Sequence, residues 1–576
     1  MRIALLTEGG YPYARGEGGA WCDRLVRGLP HHAYDVYALS RSPRTEEGGR
    51  VAPPPQVRRV STARLWGPPP ARPRGVGRAA RKAARAAFHW HFGDLAAALA
   101  DVPGRTGTSR NRHCPPAADA GRERADRFAA GLYGLAELAR SAGAGGAALP
   151  ELLRGEDALT ALEAACRAPG VRPLLQDVTV TELLAVTALL EHQLRPLSLP
   201  WYGPDGLGAA DLCHAVSGGP ATLPGLLAKR FCGVPLVVTE YTVRVREALL
   251  AHRAAGLPPA ARALLGDFHR LLAGEAYRQA ELVTHGSGHV RRWQQRCGAS
   301  RDRLQTVYPG MDATRFARAG EAAEAEAASP AASADPTLAW VGRAEPAKDL
   351  VALLHAFHAI RAEEPRARLR IFHAAPADQR AAGYLGHCRA LAAQLFPDEA
   401  ADPYAVGENP VSFEAIGSPS APEPADAYAA GDVVLSSSAA EGFPLNLVEA
   451  MFCGRPTVST DVGAVREVIG GTGLIVPPRN PRALADAALD LLRGPERAAR
   501  LGAAARERAL EIFTVDACVH AFRDAYLAVV AAHPVAREPL HDAAGAPRPF
   551  TEPAESLAPT PLVPAPLAPV PLTSCH

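Results

Sequence analysis

Two doubly wound α/β domains of Rossmann-like pattern, facing each other across a deep cleft, are what this 576-residue sequence predicts. Short apolar runs alternate with helical stretches in two separate blocks, the spacing expected of parallel β-α units. A polar, low-complexity segment, AGEAAEAEAASPAASADP at residues 319–336, divides the blocks and reads as a linker. Hydrophobic residues make up 48% of the chain and charged residues 21%, a soluble globular balance with enough apolar mass for two cores.

The same composition excludes several functions. No run of about 18 apolar residues is present to span a bilayer. Residues 3–6 (IALL) are too short for a secretory apolar region and Glu8 soon follows, so a cytoplasmic location is expected, with a peripheral position on the inner face of the membrane left open. Ten cysteines without a C-x-x-C pair or metal-ligand spacing read as reduced packing thiols, and no metal site is expected. With 62 basic against 60 acidic residues, a nucleic-acid partner for the whole chain is excluded. Lys82, Lys229 and Lys348 are the only lysines, so each stands out in an arginine-dominated chain.

The first domain is expected over residues 1–315. Residues 3–6 form a strand, Gly9-Gly10 and Gly16-Glu17-Gly18-Gly19 a glycine loop, residues 21–29 a helix, and 36–39 a second strand. Gly16, Gly18 and Gly19 would let the backbone approach phosphates and a sugar. As a dinucleotide fingerprint the loop fails, because Trp21 stands where the third glycine of G-x-G-x-x-G belongs and no acid follows residues 36–39; NAD is therefore disfavoured. Between residues 41 and 85, 12 basic residues face only Glu46 and Glu47, amid prolines at 53–55 and 68–70. A solvated insertion is expected there, its sharper reading being a basic surface for an anionic partner. An Ala/Leu-rich helical stretch follows, so the whole insertion spans about 41–205. Strands resume at 211–216, 235–239, 282–285 and 304–308. Glu240, which ends an apolar strand at the ligand-facing edge, is the stronger candidate for the acceptor side of a cleft; His214, at the end of another strand, reads equally as an acceptor-side residue or as a satisfied core histidine.

The linker is placed at 316–336 and the second domain at 337–513, with strands at 338–341, 369–372, 411–413, 433–436, 457–459 and 474–476. Asp349 should cap a helix that places Leu350, Leu353, Leu354, Phe357 and Ile360 on one face, and Asn480-Pro481 should open another. A helix at 514–531 precedes a tail, 532–576, whose Pro/Ala composition cannot bury enough apolar surface to fold.

Two loops of the second domain carry the chemistry. In the segment from Ser436 to Met451 a buried strand gives way to Glu441-Gly442-Phe443-Pro444-Leu445-Asn446, and Pro444 sits where a helix begins, so free backbone N–H groups face an incoming diphosphate. Glu449 shares a helical face with Asn446 and can accept from two ribose hydroxyls. An isolated E-x7-E would read as surface carboxylates flanking a helix start; the surrounding EGFPLNLVEA string is what singles this one out. Gly342-Arg343-Ala344-Glu345-Pro346-Ala347-Lys348, between a strand and a helix, brings Arg343 and Lys348 to the same diphosphate, where they would neutralise charge as a sugar–phosphate bond breaks. Solvated loop cations are the plainer reading of that pair.

Together these loops resemble the retaining GT-B glycosyltransferases of family 4, the glycosyl transferases group 1, which carry a G-R-x-x-P-x-K type loop and an E-x7-E motif. Residues 307–316, VYPGMDATRF, look like the family's hinge segment V-x-P-N-G-V-D-x-x-x-F, with Gly310 and Asp312 kept and the Asn absent. The resemblance covers about 1–30 and 205–530. Within the family, ALLTEGGYPYARGEGGAW, HAVSGGPATLPGLLAKRFCGVPLVVTEY and RRWQQRCGA are similar to the PelF-like branch, which acts in exopolysaccharide synthesis. That branch reads R-G-G-V-S-S-W where this chain has Arg15-Gly16-Glu17-Gly18-Gly19-Ala20-Trp21, and T-E-H-G where it has Thr239-Glu240-Tyr241-Thr242.

The resemblance implies a GT-B fold and a retaining, metal-independent transfer from a nucleotide diphosphate sugar, a UDP-sugar, to a hydroxyl. Catalysis would rest on Glu441, Arg343 and Lys348. The donor would meet Gly16, Gly18, Gly19, Gly342, Gly442, Phe443, Pro444, Leu445, Asn446 and Glu449. No cofactor is implied, the nucleotide sugar being a co-substrate, and the last helix would cross back to the first domain. The acceptor would be a glycan, a lipid-linked group or a small molecule, and a membrane-associated polysaccharide machinery is the partner in view. Two other readings stand beside it: a phosphorylase of the same fold, for which Lys348 is badly placed to form a pyridoxal Schiff base, and a catalytically silent sugar-nucleotide-binding subunit of a polysaccharide assembly.

Overall fold

The computed structural model describes residues 1–13, 17–40, 46, 52–67, 78–101, 117–141, 148–328, 333, 335–397 and 409–535. Gly16, most of the basic residues 41–77 and the expected tail beyond 535 lie outside them.

Seven parallel strands build the first sheet: β1 (Arg2–Glu8), β2 (Ala33–Ser40), β3 (Val57–Arg64), β4 (Leu212–Ala215), β5 (Leu236–Glu240), β6 (Leu282–His285) and β7 (Leu304–Thr306), in the order β3-β2-β1-β4-β5-β6-β7. Ile3, Leu5, Val36, Leu212 and Val237 are fully buried, as expected of parallel strands covered on both faces. One strand corrects the expectation of a solvated insertion at 41–85. β3, sequence VRRVSTAR, is an edge strand with one wet face, and its arginines make it read as a loop. The helix Arg78–Ala100 also starts in that segment and opens a helical layer in which Phe88, Phe92, Phe128 and Leu162 are fully buried.

The second sheet contains β8 (Thr337–Gly342), β9 (Arg368–His373), β10 (Val411–Ala415), β11 (Val433–Ser436), β12 (Thr457–Thr460) and β13 (Leu474–Val476), all parallel, in the order β10-β9-β8-β11-β12-β13. Asp349 accepts from the Ala352 N–H and Asn480 from the Ala483 N–H, so both expected caps open their helices. Part of the stretch expected as a linker is a helix, Ala317–Ala327. Its alanines favour that state, and Gly320 lets it seat closely, since a side chain there would run into the Arg506 guanidinium.

The chain passes between the domains twice, and the two passages are bonded to each other. The Met311 N–H donates to the Phe513 carbonyl at 2.9 Å and the Val515 N–H to the Met311 carbonyl at 3.1 Å. The helix Val515–Ala532, capped by Thr514, then lies on the first domain, where Phe522 and Tyr526 join Ile3, Trp21 and Leu25 in one apolar cluster. No helix among the described residues is long and apolar enough to cross a membrane.

Candidate functional site

In open parallel sheets ligands bind where neighbouring strands send their chains to opposite sides. β8 lies between β9 and β11, so the crevice of the second domain opens between the loops that leave β8 and β11. These loops are laced together. The Ala439 N–H donates to the Ala347 carbonyl at 2.8 Å, and Ser437 Oγ donates to the Lys348 carbonyl at 2.8 Å. The Lys348 ammonium donates to the Glu441 carboxylate, which also accepts from Ser438 Oγ at 3.2 Å. Thr460 Oγ1 holds the Ser438 carbonyl at 2.6 Å, and Gly463, at φ 59°, passes so close beneath that a side chain would strike the Glu441 and Gly442 carbonyls.

Lys348 and Glu441 are only 14% and 15% exposed, whereas Arg343 is 69% exposed, with Glu345 at 3.4 Å. An ammonium held at a fixed point thus sits on the same edge as a solvent-exposed guanidinium, an arrangement suited to gripping an anion. Gly342 ends β8, and a side chain there would crowd the Trp340 ring at 3.2 Å.

Pro444 caps the helix Leu445–Phe452, and the Leu445 N–H bonds to the Phe443 carbonyl at 3.0 Å. Gly442 has open space on its side-chain face. Asn446 is half-buried. The Phe443 ring packs toward Tyr308 and Phe513, so it serves the hinge, and with Leu445 it borders the apolar core there. Glu449 accepts from the Tyr428 hydroxyl at 2.7 Å. Burial raises its pKa; Glu17 adds to that rise and Arg315 opposes it. Glu17 opens the first helix, Glu17–Gly28, so the charge felt at Glu449 comes from the acidic start of that helix.

This corrects the glycine-loop expectation: Gly18 and Gly19 belong to the first turn of the helix, where Glu17 complements the positive helix end. Of the two readings of His214, the structure shows the core one. It is fully buried, its Nδ1 is 2.6 Å from the Tyr526 hydroxyl and its Nε2 2.6 Å from Thr239 Oγ1, and burial lowers its pKa to about 3. It is a neutral core group tying the last helix to the sheet, not a cleft residue. Glu240 borders a cavity of about 170 Å³, but its carboxylate is engaged by the Gly218 N–H at 3.0 Å, by the Tyr277 hydroxyl and by Gln294 Nε2 at 3.3 Å. Its role is to hold the turn after β4, and burial raises its pKa. Tyr241 packs edge-on against Trp21 at 5.1 Å.

Several cleft residues escaped the sequence reading. Ser437, Ser438 and Thr460 brace the Glu441 loop, and Glu467 joins the domains. Glu8 also went unmarked, because the strand was expected only over residues 3–6 and β1 runs on to Glu8, a strand end that faces ligands in such sheets; Glu467 has no sequence signal.

Residues 335–494 match the family model of glycosyl transferases group 1, and residues 1–103 and 134–302 match a domain of unknown function (DUF3492). A D-inositol 3-phosphate glycosyltransferase of Saccharomonospora viridis is 31% identical over 315 residues, covering 53% of this chain and 68% of that protein. One from Rhodococcus opacus is 30% identical over 293 residues, covering 50% of this chain; the match spans only 60% of the relative's length. The crystal structure of sucrose-phosphate synthase from Thermosynechococcus elongatus superposes with a TM-score of 0.52 at 17% identity, over 92% of this chain and 99% of that one, a likeness of fold. With two parallel Rossmann-like sheets of the GT-B kind, this chain belongs to the glycosyl transferases group 1 family.

Proposed function

We propose that this chain is a retaining, metal-independent glycosyltransferase that moves a sugar from a nucleotide diphosphate donor, a UDP-sugar, to an acceptor hydroxyl. The observation that carries the reading is the Lys348–Glu441 pair beside Arg343 at the switch point of the second sheet. Arg343 and Lys348 stabilise the departing diphosphate. Glu441 orients the hydroxyls of the donor sugar, and Glu449 accepts from the ribose.

The acceptor oxygen bonds to the anomeric carbon on the face from which the phosphate oxygen leaves, and the acceptor proton passes to that phosphate oxygen. No separate base is required, in keeping with the full engagement of His214 and Glu240 by the protein. Resemblance to the PelF-like branch supports a place in exopolysaccharide or glycoconjugate synthesis.

Incubation with UDP-, GDP- and ADP-sugars tests the donor, with slow release of UDP the expected result. Proton NMR of the product from a UDP-α-sugar should show an α linkage, formed equally well in EDTA. A β anomeric coupling, or activity abolished by EDTA and restored by Mg²⁺ or Mn²⁺, would refute the mechanism.

A further inference from the structure

The first sheet has a switch point of its own. β1 lies between β2 and β4, so the chain leaving β1 at Glu8 and the chain leaving β4 at Ser217 part at the C-terminal edge. The cavity of about 170 Å³ lies there, lined by Glu8, Ser217, Glu240, Tyr241, Arg244 and Glu247 among others.

Glu8 Oε1 and Arg244 Nη2 are 2.5 Å apart, and the Glu8 side chain is 5% exposed. Yet Glu8 Oε2 and Arg244 Nε, both buried, have no hydrogen-bond partner among the described residues. Native structures seldom leave such groups unmade. One acceptor and one donor side by side complement two neighbouring hydroxyls. The turn after β4 packs closely on this pair: a side chain at Gly218 would run into Glu240, and one at Gly219 would lie 3.0 Å from both Glu8 Oε2 and Arg244 Nε.

Size and charge narrow the ligand. The cavity is smaller than the roughly 300–1,000 Å³ of sites that enclose drug-sized molecules, so it takes one ring rather than a chain. Three of its lining residues are glutamates, and Arg244, its one cation among the described residues, is consumed by Glu8, with Glu247 at 4.0 Å on its other side. A phosphate group would meet excess carboxylate and no available cation.

We propose that this cavity seats the acceptor as a single uncharged sugar or polyol ring, one hydroxyl donating to Glu8 and its neighbour accepting from Arg244, and that it turns phosphorylated rings away. The inference rests on the glycosyltransferase reading and departs from the relatives named for D-inositol 3-phosphate.

Calorimetry on the full chain with UDP present tests it, using inositol, methyl glucoside and methyl galactoside against inositol 3-phosphate, glucose 6-phosphate and galactose 6-phosphate. At least one neutral ring should bind, tenfold or more tighter than its phosphorylated partner. Glu8→Gln and Arg244→Gln should weaken it tenfold or more at unchanged UDP affinity. If either unfolds, Glu247→Arg decides at a lining position 46% exposed, where an added cation should strengthen phosphate binding at least threefold. Tighter binding of the phosphorylated rings to the parent, no binding by any neutral ring, or indifference of phosphate binding to Glu247→Arg would overturn the proposal. Failure of the parent to bind UDP would overturn the donor reading instead, and ring binding is then measured without nucleotide.

Discussion

Tyr308 donates its hydroxyl hydrogen to Glu467 at 2.9 Å, while the other oxygen of that carboxylate accepts the Gly288 N–H at 2.5 Å. One side chain of the second domain thus holds both the hinge segment and the start of the helix Gly288–Arg296. A negative charge suits that helix end. Burial, with the Glu467 bond and charge, pushes the Tyr308 hydroxyl up to about 12, so it remains a donor throughout the neutral range. Glu467→Ala should lower stability by about 1–3 kcal/mol and raise the donor KM through looser closure. Urea unfolding with donor kinetics checks this, and an unchanged midpoint with unchanged KM would show that the contact contributes nothing.

Arg343→Ala and Lys348→Ala should each slow donor turnover by about 10² or more, because both remove charge stabilisation of the leaving group. Their effects on stability should differ. Arg343 is mostly in solvent, so its loss should leave the melting temperature alone. Removing Lys348 strands Glu441 in a partly buried loop, at a cost of about 1–3 kcal/mol. Parent-like turnover in both variants would move the donor cleft elsewhere.

Glu449→Gln should weaken UDP binding by about 1.5–3 kcal/mol in calorimetry, since a charged acceptor for ribose is lost. Tyr428→Phe removes only the bond that supports Glu449 from behind, leaving its carboxylate in place, and should cost less. Because burial raises the Glu449 pKa, its carboxylate forms at higher pH than that of an exposed glutamate, so UDP affinity should climb as pH rises through that transition. The Gln variant should show a flatter profile.

His214 makes a prediction for stability against pH. Its folded pKa is depressed to about 3, below the unfolded value of about 6.5. The unfolded chain therefore takes up a proton that the folded chain refuses, and the stability that this residue contributes above pH 6.5 declines as pH falls toward 3, by about 1.4 kcal/mol per unit. Denaturant titrations between pH 7 and 5 should show His214→Gln losing stability less steeply than the parent. Parallel slopes would mean that His214 is protonated in the fold. His269 and His285, depressed to about 3 and about 4 by burial, keep their share in both proteins.

The second domain was the more legible half. β11 and β13 have the bounds their apolar runs mark, because buried parallel strands are continuous in hydrophobicity, and Asp349 and Asn480 announce their helices by local chemistry that needs no tertiary partner. The Lys348 and Glu441 loops were equally visible, since glycine, proline and charge cluster at strand ends. What stayed hidden depends on distant parts of the chain. His214 faces inward because Tyr526, 312 positions away, lies over it. β3 is carried by pairing with β2 rather than by apolar residues, and Glu467 acquires its purpose only once Gly288 and Tyr308 stand opposite.

The packing of the helix Val515–Ala532 against Trp21 and Ile3 also orders events during synthesis. The first half of the polypeptide leaves the ribosome with its apolar cluster incomplete, lacking Phe522 and Tyr526, and must wait for nearly the whole described chain to emerge before it is sealed. The second domain, whose central cluster is drawn from residues 338–491, can consolidate before then. Nascent chains should therefore acquire protease resistance in reverse order, the later-made domain first, and the early half should depend on holding chaperones during the interval.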